Sequence, residues 1–115
     1  MTTLDDARRL ALAWPDAIEA DHFGRPSFRV GGKIYATLRP DENRMVLKLP
    51  REHQDMLFSV SPDRYSPARW GSLVWTFVAL DAIDDAELEV QLGHAWRHVA
   101  PRRLVAALDK ARKPT

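Results

Sequence analysis

Apolar residues first recur at helical spacing. Leu4, Ala7, Leu10, Ala11 and Trp14 fall on one face of a predicted amphipathic helix. Thr3 is placed to cap it, with Asp6 three residues on as a short form of the capping box. Pro15 ends it, because proline disfavours helical geometry at the residue before it and cannot continue the ladder. From Ser27 the period changes to two, with Phe28 and Val30 on one side and Ser27 and Arg29 on the other. Gly31-Gly32 is a two-residue hairpin signal, since a type I′ turn needs positive φ at both central positions. Simple alternation along the return strand puts Ile34, Ala36 and Leu38 inward and Lys33, Tyr35, Thr37 and Arg39 outward. PDEN (40–43) is a second turn. A third strand follows with Met45, Leu47 and Leu49 inward and Arg44, Val46 and Lys48 outward.

Beyond Pro50 a short helix is expected over 51–59, and the turn-rich stretch 61–72 is expected to hold one irregular edge strand, where Pro62 and Pro67 are tolerated. VWTFVAL (74–80) is the most apolar run and reads as a central, well-buried strand. Asp84 and Glu87 open a helix that carries Leu88, Leu92, Ala95, Trp96 and Val99 on one face. Pro101 suits the first turn of a last helix with Leu104, Val105 and Leu108. The order α-β-β-β-α-β-β-α predicts a single α+β domain over 1–115. It has two layers, an antiparallel sheet of about five strands with helices on one face.

Composition narrows the function classes. The chain has 115 residues, 45% hydrophobic and 29% charged, as in an ordinary globular domain. With no Cys, disulfides, thiolate metal sites and thiol catalysis are excluded. MTTLDDARRL lacks the apolar core of a signal peptide and no run approaches a membrane span, so a cytoplasmic location is expected. Net charge is only +1, but it is segregated. Residues 22–51 hold seven Lys/Arg against two acids, whereas residues 73–96 hold five acids and no Lys or Arg.

Several stretches resemble, in order, the MmcQ/YjbR family of small bacterial proteins. LALAWPDAIEADHFGRPSFRVGGKIYATL is similar to its N-terminal signature, MVLKLP to its third strand, SPARWGSLVWTFVALD to its aromatic-Gly…Trp strand and HAWRHVAPRRL to its C-terminal helix. Val74, where many members have Gly, and Trp96, where Tyr is frequent, depart from the pattern. The resemblance implies a CyaY-like, secretion-chaperone-like α+β fold, also called double-wing. It also implies a DNA-binding label that rests on the fold, and it supplies no catalytic residue or cofactor to carry over.

The leading candidate site is the outward side of the meander, Arg29, Lys33, Tyr35, Arg39, Arg44 and Lys48, extended by Arg25 in the preceding loop. The basic groups would neutralise phosphates, and Tyr35 would stack on a base or lie against a sugar. The plainer account is a solvated sheet face. Gly24, Gly31 and Gly32 do not form a phosphate loop, since G-x-x-x-x-G-K-[ST] and G-x-G-x-x-G are both absent, and they read as turn residues. His22 beside Asp21 invites a catalytic triad, but the chain has no G-x-S-x-G elbow. His94 and His98 share a helix stripe with Glu87, a weak zinc pattern without HExxH that is more simply a solvated face. Trp14, Trp75 and Trp96 read as core, while Trp70 lies in a Pro/Gly-rich loop and stands out as partly exposed. Arg102, Arg103, Lys110, Arg112 and Lys113 suit the C-terminal end of a helix or widen an anionic footprint. The expectation is a non-enzymatic monomer without cofactor or metal. It would bind DNA or another polyanion through the basic face or, alternatively, hold a protein partner on the sheet as a chaperone does.

Overall fold

The computed structural model describes residues 1–112; Lys113 lies outside them. Helix α1 (Leu4–Leu12) is capped by Thr3, whose hydroxyl oxygen accepts from the Asp6 amide at 3.0 Å. Strands β1 (Ile18–His22), β2 (Arg25–Val30), β3 (Lys33–Arg39) and β4 (Arg44–Leu47) follow, with a 3₁₀ turn at Pro40–Glu42 between the last two. Helix α2 (Arg51–Val60), strands β5 (Tyr65–Trp70) and β6 (Leu73–Ala79), α3 (Asp85–Val99) and α4 (Arg102–Arg112) complete the order. Asp84 caps α3, accepting from the Glu87 amide at 2.8 Å.

The six strands form one antiparallel sheet in the order β1-β2-β3-β4-β6-β5. Six strands replace the expected five because IEADH (18–22) is a strand without a buried side. It pairs with β2 from Ile18↔Arg29 to His22↔Arg25 and closes the sheet edge. A strand that buries neither side carries no period-2 hydrophobic signal, so pattern reading passes over it. The other edge is β5, where Pro67 is tolerated as anticipated.

Helices α1 and α3 pack on each other and across β3, covering one face of the sheet. Phe28, Val30, Ala36, Met45, Leu47 and Val78 project into that layer. Trp96 is fully buried, its ring 5.9 Å from that of Trp14, and its indole N–H donates to the Pro15 carbonyl at 3.0 Å. Gly93 makes room for this pair: a Cβ there would lie 2.7 Å from the Trp14 ring. Helix α2 is tied to β6 by Gln54, which donates to the Val74 carbonyl at 3.0 Å and accepts from the buried Thr76 hydroxyl at 2.9 Å. Among the described residues no helix is long and apolar enough to cross a membrane.

The hairpin β2–β3 departs from simple alternation. Phe28 pairs with Ala36 but Arg29 pairs with Ile34, so Tyr35 is an extra residue opposite a single step of β2. Such a bulge sets two successive side chains toward the same side. Tyr35 and Ala36 both enter the helical layer, each with no exposed surface, and the Tyr35 hydroxyl donates to the Ala11 carbonyl at 2.5 Å. Burial pushes the Tyr35 phenol pKa well up. The expected outward placement of Tyr35 is therefore corrected, and with it that of its neighbours. Lys33 pairs with Val30 and shares its side, while Ile34 pairs with Arg29 and turns to the open face.

Candidate functional site: the open face of the sheet

The face away from α1 and α3 is built by paired side chains. Thr37, Val46 and Phe77 form one row across β3, β4 and β6, and Arg39 and Arg44 form the next. Arg25 reaches the same end of the sheet from β2, where it pairs with His22. The three arginines converge on the Pro40–Glu42 turn. Glu42 accepts from Arg44, from Arg39 at 3.2 Å and from Arg25 at 3.5 Å, and Asp41 accepts from Arg25 at 3.4 Å. The turn can present both acids because Asn43 takes up the left-handed backbone at its end (φ 53°). The local basic excess is thus partly cancelled inside the chain, with three guanidiniums facing two carboxylates.

The Arg44 hydrogen bond, reinforced by Arg39, holds the Glu42 carboxyl below the usual carboxylate range. A depressed folded-state pKa contributes stability that is fully present above the unfolded value. That contribution drains away as pH falls through the folded one. Glu42→Gln should therefore lose less stability than the wild type between neutral and acid pH, as read by thermal melts across that range. Equal acid sensitivity in both proteins would show that the cluster is not a stabilising one.

The guanidiniums also cover aromatic rings. Arg44 lies 3.7 Å and Arg39 5.0 Å from the Phe77 ring centroid, and Arg39 lies 5.6 Å from that of Trp70. Val46, set between Thr37 and Phe77 in its row, is fully buried although it points away from the helices. Trp70 meets Trp75 edge to face at 5.8 Å, and the Lys48 ammonium sits 5.7 Å from the Trp75 ring. Arg29 donates to the Ser27 hydroxyl at 3.1 Å. Among the described residues no carboxylate pairs with Arg29 or Lys48.

Between the β1–β2 turn and the β5–β6 hairpin lies a pocket of about 320 Å³. Phe23, Ile34, Trp70, Leu73 and Trp75 give it apolar walls, and His22, Arg25, Thr37 and Arg39 supply its polar groups. Phe23 is 93% exposed and occupies left-handed backbone (φ 54°) ahead of Gly24 (φ 82°). That conformation is unfavourable for a bulky side chain, and this one gains little burial in return. Its ring meets that of His22 edge to face at 4.7 Å. Trp70 and Leu73 are likewise exposed at the pocket rim.

Of the seven candidate residues, Arg25 and Arg39 line the pocket, Arg44 adjoins Arg39, Arg29 lies on the same face of the sheet, and Lys48, one residue past β4, sits beside the Trp75 ring. Lys33 and Tyr35 are turned away from it. Alternation alone misses Phe23, Ile34, Leu73 and Trp75 as pocket residues. A signal for Phe23 was present, since a large aromatic before Gly in a two-residue turn stands where Asn or Gly is preferred. On α3, His94 does not share a site with Glu87. Its ring lies 4.4 Å from that of His53, while Glu87 accepts from Arg64 at 2.7 Å and from the Tyr65 hydroxyl. Among the described residues no cluster of three or more His, Asp or Glu could hold a metal ion.

The fold and this face define an α+β chain with a helix-backed antiparallel sheet whose open side carries a small aromatic and arginine pocket. The YjbR family model matches residues 12–98, more than half of the sequence, and the chain belongs to that family. It is similar in structure to protein DR2400 of Deinococcus radiodurans, described with the domain DUF419. The TM-score is 0.71 at 25% identity, over 84% of this chain and 77% of that one. No curated protein matches it.

Proposed function

We propose that this YjbR-family chain is a binding protein, without a reaction of its own, whose ligand is single-stranded nucleic acid laid across the open face of the sheet. The observation that carries the reading is the pairing of exposed aromatics with cations that have no carboxylate partner among the described residues. Phe23 and Trp70 stand at the rim of the pocket, Arg29 lies on the same face and Lys48 sits beside the Trp75 ring. Stacking on aromatic side chains with basic groups along the backbone is the usual way of holding unstacked bases. A duplex hides the ring faces that such a platform uses. From Arg29 on β2 to Trp75 on β6 the face spans three strand spacings, about 14 Å, enough for a few nucleotides.

Fluorescence anisotropy with a labelled oligonucleotide, single-stranded and as duplex, across a salt series tests it. The single strand should bind more tightly, and its affinity should fall steeply with salt as counterions are released. Neutralising Arg29 and Lys48 together should make the slope of log K against log salt shallower by about 1.4, at roughly 0.7 per phosphate contact. Lys33→Gln, on the Val30 side of the sheet, should leave it unchanged. Equal loss from Lys33→Gln, or no binding at low salt, would sink the proposal.

A second reading, a protein-docking surface, draws on the exposed apolar rim of Phe23, Trp70 and Leu73. A partner captured from lysate that survives nuclease treatment would favour it.

A further inference from the structure

We propose that the pocket between Phe23 and Trp70 is a subsite for a single unstacked guanine. The inference rests on the nucleic-acid reading above and adds base preference to it. A volume of about 320 Å³ lies at the lower end of the range for small-molecule sites, room for one base rather than a stacked pair. The apolar walls, with Trp70 set edge to face on Trp75, suit a flat ring.

The polar groups select among bases. Arg25 and Arg39 are donors only, and the two nearby carboxylates are already bound to guanidiniums. Arg39 is anchored to Glu42 through Nη1, while its Nε is buried and makes no hydrogen bond. The Nε–H and the neighbouring Nη2 of a guanidinium form a fork that matches two adjacent acceptors on a planar edge. A buried N–H without an acceptor is unfavourable, so a base edge that supplies one as the Arg39 side chain turns toward the pocket it lines is favoured. Guanine presents such an edge in N7 and O6, whereas adenine places an amino donor beside N7 and would set donor against donor. Cytosine offers N3 and O2 in a single strand, on a ring with less face to stack. The expected order is guanine, then cytosine, with adenine and thymine last.

The test uses the whole chain and fluorescent oligothymidylates that carry one central guanine, 7-deazaguanine, cytosine or adenine. Deoxynucleoside monophosphates, followed by tryptophan fluorescence, are measured in parallel. A good bidentate pair corresponds to about 5- to 150-fold in affinity, so the guanine oligomer should exceed the adenine one by that margin. The 7-deaza analogue, which lacks N7, should fall to the adenine level. Arg39→Lys keeps the charge but loses the fork, and should bring the guanine-to-adenine affinity ratio close to one, the ratio rather than the oligothymidylate affinity being the readout. If Arg39→Lys fails to fold, as circular dichroism would show, the 7-deaza comparison on the wild type decides alone. Salt-dependent binding of all oligomers with equal affinity overturns the guanine pocket and leaves the single-strand reading standing. Deoxyguanosine monophosphate binding without oligomer binding supports the pocket and removes the single-strand reading. Absence of both overturns both.

Discussion

Trp96→Ala is expected to destabilise the chain by about 3–5 kcal/mol, the cost of truncating a fully buried large aromatic. A domain of this size has about 5–15 kcal/mol in total, so much of the variant should be unfolded under mild denaturant. The site has little capacity to collapse. Trp96 lies against Trp14 at 5.9 Å, and Trp14 in turn presses on Gly93 without space for a Cβ. Its N–H also satisfies the Pro15 carbonyl at the end of the α1 segment, so truncation leaves both a void and an unpaired acceptor. Trp96→Phe keeps much of the ring and loses only that hydrogen bond and some volume, and should cost clearly less. Urea titrations followed by far-UV circular dichroism separate the two variants. An alanine variant within about 1 kcal/mol of the wild type would show that the Trp14–Trp96 contact does not hold the helical layer together.

Phe23→Asn should move stability and binding in opposite directions. A bulky side chain in left-handed backbone costs about 1–2 kcal/mol, whereas Asn tolerates that conformation and is favoured in two-residue hairpin loops. Phe23 is almost wholly exposed, so little burial is lost in the exchange. The variant should gain about 0.5–1 kcal/mol and melt a few degrees higher. At the same time it should bind single-stranded oligonucleotides about 5- to 150-fold more weakly, the equivalent of one lost stacking platform at about 1–3 kcal/mol. A ring held in place only for folding predicts loss of stability and unchanged affinity. Unchanged or tighter binding by the folded variant would remove Phe23 from the proposed surface.

Much of the fold is legible in the sequence because most elements bury one regular face. The α1 and α3 caps, the Gly31-Gly32 turn (φ 59° and 79°) and the inward set Met45, Leu47 and Leu49 all follow from local rules. β1 was not legible, since an edge strand with two half-solvated sides has no hydrophobic period. The side assignments of Lys33, Ile34 and Tyr35 failed for a different reason. Alternation assumes one residue per step, and nothing in KIYATLR marks the extra one. The basic cluster was legible as composition but not as charge, because Asp41 and Glu42 fold back onto Arg25, Arg39 and Arg44 from a turn between strands. The pocket joins residues about fifty positions apart, from His22 to Trp75, and only the folded sheet brings them to one place.

The bulge at Tyr35 also bears on how the chain tolerates loss of a residue. In a regular strand, deleting one position turns every later side chain over, and in β4 this would carry Met45 or Leu47 out of the core. β3 is different, because Phe28↔Ala36 and Arg29↔Ile34 already follow one another on β2 without a gap. Removing Tyr35 would leave Ile34 outward and Ala36 inward, and the ladder would become regular. The deletion would empty the phenol's place beside Ala11 yet leave the other side chains of β3 on their present sides of the sheet. The insertion therefore acts as a spare rung, adding a core side chain to the hairpin without rewriting the face opposite.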